Sequence, residues 1–197
     1  GRSINPAVPA VPGNNGLDDL LNKPFKDNMR YQATGLFLES AYKMGAGELF
    51  AGVRYDHWKT ELMVGQTGER SDDLFSGYGR YELASGNSQY YAGVGHAQRM
   101  PDYWEIMKSD INNLSQKAFD LAPEKTTQLD IGWIYEADIA ISTSLFYGEI
   151  RDYILIDANT KPTSAYNIDA TVYGGEIAAT IPLTEHFSTQ TSVSYSH

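Results

Sequence analysis

Four histidines, 25 carboxylates and no cysteine are the raw material for chemistry in this 197-residue chain, and their spacing argues against an enzyme. His57, His96, His186 and His197 share no metal-ligand spacing, and the absence of cysteine removes disulfide frameworks and thiolate metal sites. Asp18-Asp19 and Asp72-Asp73 are adjacent pairs, so on a strand their side chains point to opposite faces and cannot share a substrate. No Gly-x-Ser-x-Gly nucleophile elbow is present. Ser76-Gly77-Tyr78-Gly79 reads as strand, because a glycine-rich phosphate cradle must open a helix. Asp102, Glu105, Asp110, Asp120 and Glu124 give one stretch an acidic cast, which suits either a hard cation or a solvated loop. The net charge is -10 with no Lys/Arg block, so the phosphate-tracking groove that nucleic acid needs is missing.

The elements that would position these residues are strands. Pro6, Pro9, Pro12, Gly13, Asn14, Asn15 and Gly16 make the start turn-rich, so residues 1–29 are expected to be a loop or a cut end, with one helical turn at Asp18 to Leu21. Beyond it, apolar residues alternate. Leu49, Ala51, Val53 and Tyr55 share one face, with Gly52, Arg54 and Asp56 on the other. The pattern recurs at Phe75 to Leu83, at Leu129, Ile131, Trp133 and Tyr135, at Ile139 to Tyr147, and at Phe187 to Tyr195. About eight strands follow, near 30–43, 47–59, 73–84, 89–99, 126–136, 139–153, 170–182 and 186–196. Short connections alternate with long ones near 60–72, 100–125 and 154–169.

No window approaches the roughly 18 to 20 apolar residues of a spanning helix. A barrel strand needs only alternation over about 9 to 11 residues, so a membrane barrel stays open as a reading. Alternation alone fits equally a soluble sandwich with one buried face. Strand length, alternating loop length and aromatics near strand ends (Tyr55, Trp58, Tyr81, Tyr90, Trp133, Tyr135, Tyr147 and Tyr195) favour the barrel, whose two interfaces carry aromatic girdles. On that reading Arg54, Asp56, Arg80, Glu82, Asp130 and Glu176 face inward as salt-bridge and hydrogen-bond ladders. The two readings separate on one point. A sandwich buries Leu129, Ile131, Trp133 and Tyr135 against a second sheet, whereas a barrel turns them to lipid.

Four segments carry a family resemblance. Gly95-His96-Ala97-Gln98-Arg99-Met100-Pro101-Asp102-Tyr103-Trp104-Glu105 resembles a strand-end motif of TonB-dependent outer-membrane receptors. Leu121-Ala122-Pro123-Glu124 running into Leu129-Asp130-Ile131-Gly132 resembles the Leu-x-Pro-Glu segment that opens the following strand. Leu145-Phe146-Tyr147 through Ile150-Arg151-Asp152-Tyr153-Ile154 and then Tyr173-Gly174-Gly175-Glu176-Ile177 are similar to the next two strands. The order and spacing over about 75–197 make the resemblance specific.

The resemblance implies an all-β antiparallel meander forming part of a large transmembrane barrel in the bacterial outer membrane. It implies energised uptake of a scarce ligand, with TonB engaged through an N-terminal part this sequence lacks, and the lipid bilayer and a metal or metal chelate as further partners. The expectation is an internal piece of such a receptor, with residues 30–197 as wall and extracellular loops. The Met-Pro-Asp-Tyr-Trp-Glu run is most similar to the copper-receptor branch, which makes copper the favoured cargo. Thioether sulfur suits Cu(I) and imidazole suits either copper state, so Met100, Met107 and His96 are the candidate ligands. No catalytic or resident cofactor site is expected. A passive outer-membrane pore and a soluble β-sandwich binding module stand as alternatives.

Overall fold

The computed structural model describes residues 29–63 and 68–197. The expectations for the turn-rich start, including the helical turn at Asp18, lie outside the described residues.

Eight long strands form one antiparallel sheet in chain order: β1 (Met29–Met44), β2 (Gly47–Leu62), β3 (Gly68–Ser85), β4 (Ser88–Arg99), β6 (Glu124–Glu136), β7 (Ala140–Asp157), β8 (Ser164–Thr184) and β9 (Phe187–Ser196). A two-residue strand, β5 (Ser109–Asp110), adds to β8 in parallel, and one helical turn, α1 (Tyr103–Ile106), follows β4. Among the described residues the sheet is open, with β1 and β9 at its edges. Two of the short connections are two-residue turns in which Gly45 and Gly86 take φ of 63° and 58°. Tight hairpins demand that left-handed backbone, and glycine adopts it without a Cβ clash.

The strands run past the ends expected for them. The β2–β3 ladder continues to Leu62 opposite Gly68, and β7–β8 to Asp157 opposite Ser164. Much of the sequence around 60–72 and 154–169 is therefore ladder. Hydrophobic alternation signals a strand only where apolar residues recur at every second position, and these extensions break that pattern: their covered face mixes Thr60, Arg70 and Asp72 with Leu62, and Ile154 and Ala165 are buried against Ala118 and Leu121.

The register places the alternating faces in line. Leu38, Val53 and Gly77 continue across to His96 and Thr127, and Val94, Leu129, Tyr147 and Tyr173 form a neighbouring row. That face is apolar and uncovered: Leu129 is 52% exposed, Ile131 45%, Leu145 57% and Val193 66%. A sandwich would bury these residues, so the soluble β-sandwich reading falls. A continuous apolar face, with no second sheet over it among the described residues, fits the lipid surface of a barrel wall. Tyr42, Tyr81, Tyr90, Trp133 and Tyr135 border it toward the short turns, and Tyr55, Phe75, Tyr147, Tyr173 and Tyr195 toward the other end. Trp58 departs from the expected girdle. An even position in β2 puts it on the concave face, where its ring meets Tyr31 edge-on at 6.2 Å.

The concave face carries the polar residues. Arg54 grips Asp56 through two bonds of 2.6 Å, Arg80 donates to Glu82 at 2.6 Å, and Gln128 donates to Asp130 at 2.8 Å. Each pair is two residues apart on one strand, so the period of the pleat makes them neighbours. The expected sixth member, Glu176, has no side-chain partner among the described residues. Glycine fits bulky luminal rings into this wall. A Cβ on Gly132 would clash with the hydroxyl end of the Tyr91 ring, which itself lies 4.0 Å beneath the Arg80 guanidinium.

Two outcomes test this architecture in a full-length receptor refolded into lipid vesicles. Ile131→Arg on the lipid face is expected to cost about 2–4 kcal/mol, while the luminal Gln128→Arg stays near neutral. Equal costs would overturn the face assignment. Gly132→Ala is expected to cost about 1–3 kcal/mol through overpacking, and adding Tyr91→Ala should recover most of that loss. Unfolding midpoints in urea provide both readings.

Candidate ligand mouth

At the end of the wall opposite the short turns, the connection between β4 and β6 folds inward over the concave face. Pro101 ends β4, since it cannot donate to the ladder, and it is fully buried. Asp102 then caps α1: its carboxylate accepts from the Glu105 N–H at 2.8 Å, and Glu105 in return accepts from the Asp102 N–H at 2.7 Å. This reciprocal box satisfies two donors that a one-turn helix would otherwise leave unpaired. Ile106 enters the interior with no exposed surface, and Leu62 and Leu74 are buried with it at 4% each.

Charge fixes the same segment. Arg99 reaches both oxygens of Glu105, at 2.9 and 3.0 Å, and one oxygen of Glu124 at 3.0 Å. The bond to Glu105 chiefly, and that to Glu124 next, hold the Arg99 guanidinium well above its ordinary pKa. The Tyr31 hydroxyl donates to the Pro101 carbonyl at 3.4 Å. Burial pushes the Tyr31 phenol up to about 12, with the charges of Asp102 and Glu105 adding to the effect. Tyr31 lies beyond the apolar stretch of β1 that starts at Leu36, so it stands outside the membrane.

These elements enclose a hollow of about 550 Å³ at the mouth, with Tyr31, Trp58 and Tyr103 as aromatic walls, Arg54 and Asp56 on one side, and Met100 at the rim of β4. Its size is that of a small-molecule pocket. A groove of about 600 Å³ lies further down the concave face, lined by Glu39, Arg54, Tyr78, Gln128 and Asp130.

The candidate ligands fall in three surroundings. Met100 is buried and lines the mouth. Met107 caps the C-terminal end of α1, half-buried, and its carbonyl accepts from Lys117 at 2.9 Å. His96 sits on the outer face, where its Nδ1 lies 2.8 Å from the Thr127 hydroxyl and its Nε2 lies 3.1 Å from Gln98. Most of the acidic stretch has structural work: Asp102 caps α1, Glu105 and Glu124 hold Arg99, and Asp110 accepts from the Asn112 N–H at 2.6 Å. Among the described residues no three His, Asp or Glu side chains are placed to hold a metal ion. Sequence reasoning missed Tyr31 and Trp58 as parts of the mouth. Even-numbered parity in β2 marks Trp58 as facing inward, but no local pattern marks Tyr31.

Comparison with known proteins gives a consistent answer. The family model of the TonB-dependent receptor-like β-barrel matches residues 2–197. No curated protein matches the sequence. Among solved structures, the copper transporter OprC is 33% identical, with a TM-score of 0.77 over 86% of this chain. The FrpB iron transporter from Neisseria meningitidis is 21% identical over 85% of the chain, TM-score 0.67. The alcaligin outer membrane receptor FauA from Bordetella pertussis is 18% identical over 86%, TM-score 0.61. The last two likenesses show the fold. The chain spans 28%, 25% and 30% of these three proteins.

The Tyr31 environment makes a measurable statement about pH. A phenol held at about 12, against 10.0 when free, favours the neutral form in the folded protein. Its contribution to stability is therefore fully present below pH 10 and is lost as pH rises from 10 to about 12. In alkaline unfolding of the full-length receptor, Tyr31→Phe is expected to flatten the fall in stability across that window. A wild-type and variant slope that coincide would mean Tyr31 titrates as a free phenol.

Proposed function

The chain belongs to the TonB-dependent receptor β-barrel family, and from that premise we propose that it forms the wall and mouth of an outer-membrane receptor that imports copper. The observation that carries the cargo is the 33% identity to a copper transporter across 86% of the chain. Met100 supports it. Its thioether, buried at the rim of the mouth hollow, is a soft donor of the kind Cu(I) prefers.

In this reading the mouth captures the cargo, and TonB then drives displacement of a plug that seals the lumen. Met100 supplies one donor, and Met107 lies close by in sequence on the same loop. The hollow holds no histidine, so the remaining donors come from other parts of the receptor. His96, facing outward beside Thr127, is the least suited of the three to meet a luminal cargo. The concave wall below gives the released ion a polar path. Its carboxylates at Asp56 and Glu82 are already neutralised by Arg54 and Arg80, so they do not trap a cation.

The test is copper accumulation by cells expressing the full-length receptor, with and without an intact TonB. TonB-dependent accumulation is expected, and Met100→Leu should weaken Cu(I) binding to the purified receptor about tenfold while leaving barrel folding intact. Accumulation of a ferric chelate in place of copper would overturn the cargo. Uptake independent of TonB would restore the passive-pore reading.

A further inference from the structure

Three segments that are far apart in sequence meet above the membrane. The first is the outer end of the β2–β3 ladder, the second the connection 100–123, and the third the outer end of the β7–β8 ladder. The meeting points are dense in directional bonds. On one side Arg70 in β3 uses Nε and Nη2 on Asp72, at 2.6 and 3.0 Å, and Nη1 on the carbonyls of Phe119 and Leu121, at 2.8 and 2.6 Å. The side chain is only 15% exposed. Gly68 gives room for the Phe119 ring, whose nearest atom would lie 3.1 Å from a Cβ there.

On the other side Asn167 in β8 clasps Ala122 through both its N–H, at 2.9 Å, and its carbonyl, at 3.1 Å, and also donates to the Asp152 carbonyl at 2.6 Å. Ser109 donates to the Thr163 carbonyl at 3.1 Å as β5 joins β8. Ala118, Leu121, Ile154 and Ala165 form a small buried core between these contacts. A connection of 24 residues between β4 and β6 is long enough to be mobile, yet it is tied at both flanks and has its own interior.

We propose that Arg70 is a positioning residue that clamps the connection 100–123 onto β3 and, with Asn167 holding it to β8, completes one preassembled canopy, so that this side of the mouth is rigid before any ligand arrives. The inference rests on the uptake reading only for what the mouth binds, since the clamp itself is a property of the unliganded chain. The physical case is one of satisfaction. One guanidinium serves a carboxylate and two backbone carbonyls that are half-buried and otherwise lack that donor. Lysine offers a single ammonium and no planar fork, so it cannot replace all four bonds. Deleting the guanidinium strands the Asp72 carboxylate and both carbonyls together, and stranded buried polar groups cost more than the bonds themselves contributed. Loss at Arg70 should therefore release the β3 side of the connection and leave the Asn167 side tied.

Amide hydrogen exchange on the full-length receptor in detergent tests this directly. In the wild type, peptides covering 108–122 are expected to exchange slowly, and saturating Cu(I) should leave their rates within about twofold. Arg70→Ala and Arg70→Lys should both speed exchange across 117–121 at least tenfold, with β6 and β7 unchanged as the check that the barrel has folded. Arg99→Ala is the contrast: it should loosen 102–107 and spare 117–121. Fast wild-type exchange in 108–122 would overturn the canopy, as would slowing by tenfold or more when Cu(I) binds. Rescue of slow exchange by Arg70→Lys would overturn the clamp. If Cu(I) fails to bind at all, the cargo proposal fails, while the unliganded wild-type and Arg70 comparisons still decide the canopy.

Discussion

A backbone amide in hydrocarbon has no water to bond with, and that single constraint organises this chain. Every N–H and C=O that crosses the membrane must find its partner in a neighbouring strand, at a cost of several kcal/mol for each one left over. From β2 to β8 the ladder meets that demand on both sides of each strand, in chain order and almost without irregularity, while among the described residues β1 and β9 each pair on one side only. The shift in β7 between Ile150 and Tyr153 falls beyond the apolar stretch that ends at Tyr147, where an unpaired group can reach water or protein. Once the ladder is fixed, the pleat assigns chemistry by parity. Odd positions of β2, β3, β6 and β7 meet lipid, and even ones meet the lumen. Exposure that would be costly in a soluble protein, with Leu36, Leu38, Val53 and Leu145 all largely uncovered, is what the membrane requires.

Above the membrane the same constraint relaxes, and other groups take over. Water is available, so the connection 100–123 need not be ladder, but it is folded inward and must satisfy its own buried polar atoms. Carboxylates and guanidiniums do that work. Glu105 both closes the capping box of α1 and receives Arg99, and Asp72 holds Arg70 in reach of two carbonyls. An acidic stretch that looks like a cation site in sequence is, in three dimensions, largely a set of hydrogen-bond acceptors for the protein's own donors. The adjacent acids Asp72 and Asp73 make the point sharply. Asp72 faces inward onto Arg70, while Asp73 faces outward and accepts from Tyr55 at 2.8 Å.

This division explains what could be seen in the sequence. The wall is legible because lipid imposes a period of two: alternation groups the faces at Leu49–Tyr55 and Leu129–Tyr135, strand length, loop alternation and aromatics turn them to lipid, and the register keeps them on one face. The outer halves of β2, β3, β7 and β8 show no such period, since the face that the connection 100–123 covers mixes the polar Thr60, Arg70 and Asp72 with Leu62. Trp58 has the residue type and strand-end position of a girdle residue, but its parity is opposite to that of Tyr55, and parity decides the face. The mouth was legible only in part. Met100 could be proposed from the soft-donor chemistry of its type, but its partners in the hollow come from β1 and β2, about 70 and 42 positions away by number, and no local pattern links them.

The pairing of luminal charges bears on how such a wall can serve transport. A surface that lets cargo pass must offer polarity without a deep trap, because tight binding along the way would hold the cargo as firmly as the mouth does. Same-strand neighbours meet this requirement economically. Arg54 with Asp56 and Arg80 with Glu82 are neutral units formed two residues apart, and they need no partner from a plug to be stable. Arg80 is also committed to the Tyr91 ring, and Glu82 to Gln89 at 2.8 Å, so neither is easily drawn away by a passing ion. These charge pairs are thus satisfied within their own strands, and Met100, Trp58 and Tyr31 line the hollow at the rim.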